Sequence, residues 1–492
     1  MNVRADAVVV GTGAGGAPAA AVLAEAGLRV VMVEAGPLYR SGDFTGDEGE
    51  MTARLWKMQL AGDSGLAVYG GACVGGSTVI NDAVCYRTPP EVLAEWREWH
   101  GLGGFTDAAF APWVERAWQD LHAEPTDARH LSRNADALGR GARALGWSSA
   151  PTARSVRDCA NLGLCNLGCP SNAKQSTLLT HVPRALAKDA QLLTDSRVDR
   201  VLVVDGQVQG IEGTTLDRDT RRPVGSFRVD ASVVCVAAGV METPALLLRS
   251  GLTGRGSAGR DVQLHTSVHV AARFPEAVHG YYGPTMGYSV DELSDVHGRR
   301  GPGVMIENTA VYPIATASAL PSVGAEHAGV MAALPYLARA LVVIHDRTRG
   351  RIALARSGAP LLGYTPLAED VERLRAGMVG AARVYRAAGA AEVFWPVAGV
   401  PPIRSDADLE RLAGMPLDPS RFTLLYAVHL FGGAAMAGAA DAGFCDEHGQ
   451  AWDVRGLYVV DAAALPTNTG VNPQITIVAN ALRIASGIPE AA

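Results

Sequence analysis

The pattern of apolar and polar positions at the start of the chain predicts a strand, a glycine turn, a helix and a second strand. Residues 7–10 form an unbroken apolar run that is short enough for a buried strand. An alanine-rich stretch follows the next glycines as far as Ala26 and predicts a helix, and residues 30–33 form another apolar run. This order predicts a βαβ unit with a parallel sheet.

Later apolar runs predict further buried strands, and a group of them predicts a second, antiparallel sheet. The runs at 233–240 and 340–344 have the length of buried strands, and no run approaches the length needed to span a bilayer. Residues 91–150 predict helices, and the apolar stretch 310–341 predicts packed helices, with a hydrophobic lid as the alternative. The predicted strands of an antiparallel sheet, punctuated by proline and glycine, are 268–274, 304–312, 340–344 and 351–356.

Composition narrows the class of protein. The length of 492 residues predicts about two domains. Because 48% of the residues are hydrophobic and only 19% are charged, global disorder is excluded. The net charge is -7 and no basic block stands out, so a nucleic-acid partner is not expected. The first residues lack the pattern of a signal peptide, so we expect a cytoplasmic protein without a membrane partner. Seven cysteines in so long a chain do not predict a disulfide scaffold.

The first glycine turn carries a nucleotide-binding pattern. Gly11, Gly13 and Gly16 have the G-x-G-x-x-G spacing between a predicted strand and helix, and Glu34 ends the second strand. Gly11 allows the tight turn, Gly13 allows a pyrophosphate to approach the backbone, and Gly16 allows the helix to pack on the strand. Glu34 is suited to accept hydrogen bonds from a ribose. The pattern predicts a dinucleotide site and does not by itself separate FAD from NAD; a turn without ligand is the alternative.

Four further segments resemble the signatures of the glucose–methanol–choline (GMC) flavin oxidoreductases. Residues 69–81 resemble the family's G-G-S-S-x-x-N loop, and residues 236–251 resemble its G-x-x-x-T-P-x-L-L-x-x-S-G signature. Residues 259–265 resemble its G-R-N-L-x-D-H turn. The family's closing block is similar to residues 429–433, 456–462 and 470–477.

The resemblance implies an α/β fold with two domains. A discontinuous Rossmann-like FAD-binding domain would comprise residues 1–90, 170–265 and 425–492, and a substrate-binding domain residues 91–169 and 266–424. The substrate-binding domain would contain an antiparallel sheet covered by helices. Covalently flavinylated relatives carry a histidine just before the position of Asn81, where this chain has Val79 and Ile80, so we expect FAD to be bound non-covalently.

The expected cofactor residues come from every part of the chain, and no metal site is predicted. They are Gly11, Thr12, Gly13, Ala14, Gly15, Gly16, Glu34, Ala35, Gly75, Gly76, Ser77, Asn81, Val198, Ala238, Gly239, Asp461, Ala462, Asn472, Pro473 and Gln474. Val198 matches a position that contacts the adenine of FAD in the family. Asp461 and Ala462 match positions that contact the pyrophosphate and ribityl groups.

Two residues are expected to be catalytic by the same resemblance. His429 matches the family's base, and histidine suits that role because its pKa lies near working pH. Asn472 matches the second catalytic position, which hydrogen-bonds the substrate oxygen. A buried core histidine and a turn residue before Pro473 are the respective alternatives. His265, in the turn-like motif, is interpreted as structural.

Three closely spaced cysteines form the least expected feature. Cys159, Cys165 and Cys169 precede a Cys-Pro-x-x-Ala-Lys stretch that resembles a segment of GMC sugar and polyol dehydrogenases. Some of these relatives bind an iron–sulfur cluster through nearby cysteines, two of which are adjacent in sequence. In this chain Ala160 stands at the second of those two adjacent positions. Structural thiols are the favoured interpretation, with a disulfide or an iron–sulfur cluster as alternatives.

The function that follows is FAD-dependent oxidation of a CH–OH group by hydride transfer, with oxygen or an external molecule as the electron acceptor. The cysteine segment favours a sugar, polyol or aminosugar substrate, for example an intermediate of aminoglycoside biosynthesis. The closing block also resembles that of cholesterol oxidase, so a sterol or long-chain alcohol oxidase is one alternative. A non-redox FAD lyase or decarboxylase of the same family is another.

Overall fold

The computed structural model describes residues 1–491, with the side chains of residues 1–488. The strands in chain order are β1 (Asn2–Arg4), β2 (Ala7–Val10), β3 (Val30–Val33), β4 (Trp56–Leu60), β5 (Ala67–Gly71), β6 (Val84–Cys85), β7 (Ala123–Pro125), β8 (Ser149–Pro151), β9 (Ala153–Ser155), β10 (Gln191–Leu193), β11 (Ser196–Val204), β12 (Gln207–Leu216), β13 (Pro223–Asp230), β14 (Val233–Val236), β15 (Gln263–Leu264), β16 (Ser267–Arg273), β17 (Tyr288–Val290), β18 (Val304–Asn308), β19 (Leu337–Ile344), β20 (Arg351–Leu354), β21 (Pro360–Gly363), β22 (Glu392–Phe394), β23 (Tyr426–Ala427), β24 (Leu430–Phe431) and β25 (Leu457–Val459).

Helices cover these strands and join them. In chain order they are α1 (Gly16–Glu25), α2 (Glu48–Leu55), α3 (Pro90–His100), α4 (Asp107–Asp120), α5 (Arg133–Ala144), α6 (His181–Leu186), α7 (Glu242–Arg249), α8 (Pro313–Ala319), α9 (Gly324–Ala332), α10 (Ala368–Ala387), α11 (Asp406–Ala413) and α12 (Gln474–Ala491).

A five-stranded parallel sheet forms the first layer, in the order β10-β3-β2-β14-β25. Its strands β2, β3 and β14 are buried along their whole length, as expected where helices or further layers cover both faces. α1 connects β2 to β3 and packs against α6 and α12. The predicted βαβ unit is therefore confirmed, and β25 adds a strand from near the end of the chain by pairing with β14.

A nine-stranded sheet forms the second large layer, in the order β4-β5-β23-β16-β19-β18-β17-β8, with β22 added alongside β16. Its pairs are antiparallel except for β5 with β23, and α10 packs across β16, β18 and β19. The predicted strand 304–312 is shorter than expected because β18 ends at Asn308. The predicted helical stretch 310–341 contains α8 and α9, but its last residues already belong to β19, which begins at Leu337.

The large sheet also takes strands from within the segments predicted for the FAD-binding domain. β4 and β5 lie in the segment 1–90, and β23 lies in the segment 425–492, yet all three pair into the nine-stranded sheet. Pairing between distant segments is decided by tertiary structure, and the local apolar pattern does not encode it.

Smaller sheets complete the fold. β1, β13, β12 and β11 form a four-stranded sheet, β6, β9 and β7 a three-stranded one, and β20 pairs with β21. The two-residue strands β15 and β24 pair in antiparallel orientation, with Gln263 opposite Phe431 and Leu264 opposite Leu430. Within residues 1–491, no helix combines the length and the apolar character that crossing a membrane requires.

Candidate active site

One cavity of about 400 Å³ lies between the parallel sheet and the nine-stranded sheet, with lining residues from Val10 to Ile477. The predicted cofactor residues that line it are Gly11, Thr12, Gly13, Ala14, Gly15, Glu34, Ala35, Gly76, Ser77, Asn81, Val198, Ala238, Gly239, Asp461, Ala462, Asn472, Pro473 and Gln474. Gly16 and Gly75 are not among the lining residues. The fold thus brings almost all of the predicted cofactor-binding residues together around one cavity.

Two glycine loops meet at one end of the cavity. Gly11 adopts a φ of +97°, and a β-carbon there would lie 2.2 Å from the carbonyl oxygen of Ala237. A β-carbon on Gly76 would lie 3.0 Å from the α-carbon of Gly13, so the two loops approach each other backbone to backbone. Such a cradle leaves room for a pyrophosphate against main-chain amides at the start of α1.

Glu34 closes the same end of the cavity. Its carboxylate accepts hydrogen bonds from the amide of Thr12 (3.0 Å), the hydroxyl of Thr12 (2.7 Å) and the amide of Gly36 (2.9 Å). Burial raises its pKa, while these donors act in the opposite direction. The acid is therefore held in one orientation at the cavity wall that also contains Val198.

The side chain of Asp461 joins two segments of the cavity wall. The carboxylate accepts hydrogen bonds from the amide of Gly239 (2.7 Å), the hydroxyl of Thr243 (2.6 Å) and the amide of Ala463 (2.9 Å). These bonds occupy both oxygens and join the turn after β14 to the closing segment of the chain. The side chain therefore holds the cavity wall together.

The donor set fits a flavin dinucleotide. The end with the glycine loops offers backbone amides, a helix N-terminus and an acid for a ribose, and α12 begins at the cavity with Gln474. Asn81 donates a hydrogen bond from Nδ2 to Gln474 Oε1, so the loop after β5 and the start of α12 are held together there.

The half-buried His429 lies beside a fully buried histidine at the cavity. The β15–β24 pair places His265 next to His429, and the backbone amide of His265 donates to the carbonyl of His429 at 3.1 Å. Their Nδ1 atoms lie 3.1 Å apart, and the amide of Gly470 donates to Nε2 of His265 at 3.1 Å. His265 was expected to be structural; it is fully buried and contacts the predicted catalytic histidine directly.

Both histidines are neutral at neutral pH. Burial lowers the pKa of His429 to about 4. Burial, followed by the neighbouring His429, lowers the pKa of His265 well below its ordinary value. Nε2 of His429 has no hydrogen-bond partner within residues 1–491, and the residue lines the cavity. Nε2 is therefore the atom available to a ligand.

Asn472 connects the cavity to a buried acid that the motifs did not indicate. Its Nδ2 donates to Glu307 Oε2 at 3.4 Å, while Oε1 of Glu307 is buried and lacks a hydrogen-bond partner in the described structure. Burial raises the pKa of Glu307 to about 8, and the charge of Asp82 acts in the same direction. The sequence contains one indication of this acid, because Glu307 directly follows three apolar residues in β18.

The cavity wall nearest this acid is apolar. Glu307 pairs across the ladder with Leu341, which lines the cavity, so the two side chains share one face of the sheet. Leu341 belongs to a buried apolar cluster with Met286, Tyr69 and Val428, which also line the cavity. Trp56 packs edge-on against Tyr69, with 5.8 Å between ring centroids. Of these residues, only Tyr69 lies in a segment that the motifs had indicated.

The cysteine segment lies next to the cavity wall. Cys159, Cys165 and Cys169 line a second, small cavity, and in the described part of the chain all seven cysteines are free thiols. Residues 1–491 contain no group of three or more His, Cys, Asp or Glu side chains arranged for a metal ion, so the iron–sulfur alternative gains no support. The Nζ atom of Lys174 donates to the carbonyls of Val79 (2.6 Å) and Asn81 (2.8 Å), which anchors a cavity loop to this segment.

Comparisons with known proteins agree with this geometry. Two family models described as GMC oxidoreductase match residues 5–267 and 346–481. An uncharacterised GMC-type oxidoreductase of Mycobacterium tuberculosis is 34% identical over 98% of this chain and 75% of its own length. A long-chain-alcohol oxidase of Arabidopsis thaliana is 28% identical over 99% of this chain and 67% of its own length. The crystal structure of pyridoxine 4-oxidase from Mesorbium loti has a similar fold, with a TM-score of 0.73 at 19% identity and 99% of each chain covered.

Proposed function

The chain belongs to the GMC oxidoreductase family, and from this premise we propose that it oxidises the alcohol group of a largely apolar substrate. Members of the family bind FAD, and the chain is an FAD-dependent oxidoreductase that acts on CH–OH groups. The observation that carries the finer proposal is the apolar wall beside His429 and Asn472.

FAD, when bound, supplies the acceptor for the hydride that leaves the carbinol carbon. The glycine loops and Glu34 would hold its dinucleotide end, and the segment from Asn472 to Gln474 would lie along its other end. The substrate hydroxyl loses its proton to the protein, so an alcohol becomes an aldehyde or ketone.

His429 and Asn472 hold the hydroxyl in position. Nε2 of His429 and the amide of Asn472 line the same cavity as the apolar side chains of Met286, Leu341 and Val428. Two hydrogen bonds to one oxygen fix the direction of the neighbouring C–H bond, which hydride transfer requires. The resemblance assigns proton acceptance to His429.

The lining favours an apolar alcohol over a sugar. The hydroxyls of a sugar, polyol or aminosugar would face Met286, Leu341 and Val428 without hydrogen-bond partners, at a cost of about 1–3 kcal/mol for each buried group. An alkyl chain or a sterol ring would instead bury apolar surface there. The similarity to a long-chain-alcohol oxidase supports the same preference.

An anaerobic absorbance titration of the FAD-loaded protein tests the proposal. The panel contains a long-chain primary alcohol, a sterol, a short alcohol, a sugar, a polyol and an aminosugar. We expect the long-chain alcohol or the sterol to bleach the flavin absorbance, and the sugar, polyol and aminosugar to leave it unchanged. Readmitting air then distinguishes an oxidase from a dehydrogenase by whether the absorbance returns.

Two variants serve as controls for this titration. His429→Ala removes a polar group that contacts the hydroxyl and should slow bleaching by about 100-fold or more, with FAD content unchanged. His448→Ala changes an exposed histidine far from the cavity and should behave as the parent. Bleaching by the sugars alone would overturn the apolar substrate, and no bleaching by any alcohol would favour the lyase alternative.

A further inference from the structure

We propose that Cys165 and Cys159 form an oxidation site, in which a peroxide oxidises Cys165, Cys159 closes a disulfide with it, and the disulfide weakens the binding of FAD. Both cysteines line the small second cavity, and neither lines the cavity of the candidate active site. The site is a modification site on the protein itself, so its reaction requires no alcohol.

The thiol of Cys165 lies against a buried cation. Nη2 of Arg154 donates to Sγ of Cys165 at 3.0 Å, and Nε of the same guanidinium donates to the carbonyl of Asp82 at 3.0 Å. Arg154 is buried, so its side chain is held in this place. A cation in contact with the sulfur stabilises the thiolate, which is the nucleophilic form of cysteine.

The charges around Cys165 favour the same ionised form. Arg154 and Lys174 are both buried, and Asp82 is the carboxylate that acts on the two of them. Two positive charges thus share one carboxylate, and a thiolate on Cys165 balances the second. Burial acts against ionisation of Cys165, but the charges of Arg154 and Lys174 outweigh it and lower the pKa of the thiol.

The cysteines outside this segment are unsuited to the same reaction. They are the buried side chains of Cys73, Cys85, Cys235 and Cys445. Burial raises the pKa of each of these thiols, to about 12 for Cys85 and Cys235. The three cysteines of the segment are partly exposed instead. Because oxidation follows thiolate character and exposure, a peroxide selects Cys165.

Cys159 is the thiol placed to react with the oxidised sulfur. It lies in the loop after β9, and it lines the same small cavity as Cys165. Burial raises the pKa of Cys159, and among the neighbouring thiols the charge of Cys165 acts on that pKa more strongly than the charge of Cys169. The sulfur of Cys169 has other partners, because it accepts from the amide of Lys174 at 3.5 Å and lies 3.4 Å from the hydroxyl of Ser171.

The oxidation balances in two steps with hydrogen peroxide as the oxidant. The Cys165 thiolate attacks one oxygen of the peroxide, so that an S–O bond forms, the O–O bond breaks and hydroxide leaves; the sulfur loses two electrons and the peroxide gains them. The sulfur of Cys159 then attacks the sulfenic sulfur. An S–S bond forms, the S–O bond breaks, and the leaving hydroxide takes the proton of Cys159 as water. A dithiol reductant returns both thiols.

Lys174 connects the oxidation site to the cavity loop. Its Nζ donates to the carbonyl of Cys165 as well as to the carbonyls of Val79 and Asn81. One buried ammonium therefore holds the backbone of the reactive cysteine and the backbone of the loop that lines the cavity. A disulfide that moves Cys165 disturbs the contacts of this ammonium.

Asn166, the next residue in the chain, provides a second connection. Its Nδ2 donates to the carbonyl of Ile80 at 3.0 Å, and its own carbonyl accepts from Nε1 of Trp56 at 2.9 Å. Asn166, Ile80 and Trp56 all line the large cavity. Drawing Cys165 towards Cys159 shifts Asn166 with it, so FAD should be held less tightly by the oxidised protein.

Peptide mapping of the FAD-loaded protein tests the site directly. The protein is treated with a small molar excess of hydrogen peroxide, its remaining thiols are alkylated, and its peptides are identified by mass spectrometry. We expect Cys165 to be consumed at least about tenfold faster than the four buried cysteines, and to appear in a disulfide with Cys159 that dithiothreitol reverses. Consumption of Cys165 no faster than that of the buried cysteines would overturn the proposal. A disulfide between Cys165 and Cys169 would overturn the assignment of Cys159.

Two variants separate the steps of the reaction. Cys159→Ser removes the second thiol, so Cys165 should remain as a sulfenic acid that dimedone labels. Cys169→Ser changes a partly exposed cysteine of the same segment and should form the disulfide as the parent does. A Cys165 without dimedone label in peroxide-treated Cys159→Ser would refute the sulfenic acid step.

Release of FAD measures the connection to the cavity. Flavin fluorescence in the filtrate is compared for the reduced parent, the peroxide-treated parent and peroxide-treated Cys165→Ser. We expect the oxidised parent to release FAD several-fold faster than the reduced parent, and dithiothreitol or Cys165→Ser to abolish the difference. Equal release by the oxidised and reduced parent would refute the weakening of FAD binding. The measurement uses no alcohol, so its result is independent of the proposed substrate.

Discussion

At the scale of single residues, the environment of a side chain decides what it does in this protein. His429 is half-buried at the cavity, but its Nδ1 is taken by His265, and burial keeps it neutral. Glu307 is surrounded by apolar strand residues, and the same physical effect raises its pKa to about 8. Burial thus disfavours the charged form of both side chains, so that His429 is neutral and Glu307 is protonated at neutral pH.

The raised pKa of Glu307 predicts a stability difference that depends on pH. An unfolded glutamate titrates near 4.5, so the folded state holds a proton that the unfolded state has lost between about pH 4.5 and 8. This contribution to stability is complete below 4.5 and is lost as the pH rises through 8. Glu307→Gln stays neutral throughout, so its melting temperature relative to the parent should rise from pH 5 to pH 8.5.

Thermal unfolding of both proteins at several pH values measures that difference. Glu326→Gln, at an exposed helix position, provides the control and should give a difference that does not change with pH. A difference for Glu307→Gln that is equally independent of pH would show that Glu307 is ionised in the folded protein at neutral pH.

At the scale of elements, short strands and loops position several of the side chains and carbonyl groups around the cavity. The two-residue strands β15 and β24 bring His265 to His429, and the buried ammonium of Lys174 binds the carbonyls around Ile80 in the cavity loop. Asn166 adds a hydrogen bond to the carbonyl of Ile80 at 3.0 Å. The cysteine segment therefore acts as a support behind this loop.

Removing the Lys174 ammonium should weaken both the fold and cofactor binding. Lys174→Met leaves the carbonyls of Val79 and Asn81 without this donor, at about 1–3 kcal/mol for each buried acceptor. We expect a melting temperature several degrees lower and a smaller FAD content after purification. Lys188→Met changes an exposed lysine and should match the parent in both measurements. Unchanged stability and FAD content in Lys174→Met would show that the loop does not depend on this anchor.

At the scale of the whole molecule, the cavity joins segments that are hundreds of residues apart. Its lining runs from Val10 in the first βαβ unit to Ile477 in the last helix. A ligand that contacts all of these segments stabilises the folded chain as a unit, because the unfolded chain offers no such site.

Non-covalent FAD should therefore be released completely on unfolding and should raise stability when it is returned. Neither Val79 nor Ile80 offers a nucleophile to the flavin, so denaturation followed by filtration should leave all of the yellow colour in the filtrate. Adding FAD to stripped protein at about 100 times its dissociation constant should stabilise it by about 2.7 kcal/mol. FMN, which lacks the adenosine part that would reach Glu34 and Val198, should stabilise it less. Colour that stays with the precipitate would contradict non-covalent binding.

The sequence by itself determined the parallel layer and most of the nucleotide end of the site. Strand, glycine turn, helix and acid follow one another within residues 7–34, so their contacts are local and their spacing is sufficient to predict them. The family motifs extended this to distant residues such as Asn81, Asp461 and Asn472, all of which line one cavity.

Only the tertiary structure decided the substrate end and which buried polar groups lie beside His429 and Asn472. The contact of His265 with His429 depends on the pairing of β15 with β24, and the place of Glu307 depends on the register of β18 against β19 and on the position of Asn472. The apolar wall is built from Trp56, Tyr69, Met286, Leu341 and Val428, which are far apart in the chain. Pairing register, burial and the resulting protonation are properties of packing between distant segments, and local apolar patterns do not specify them.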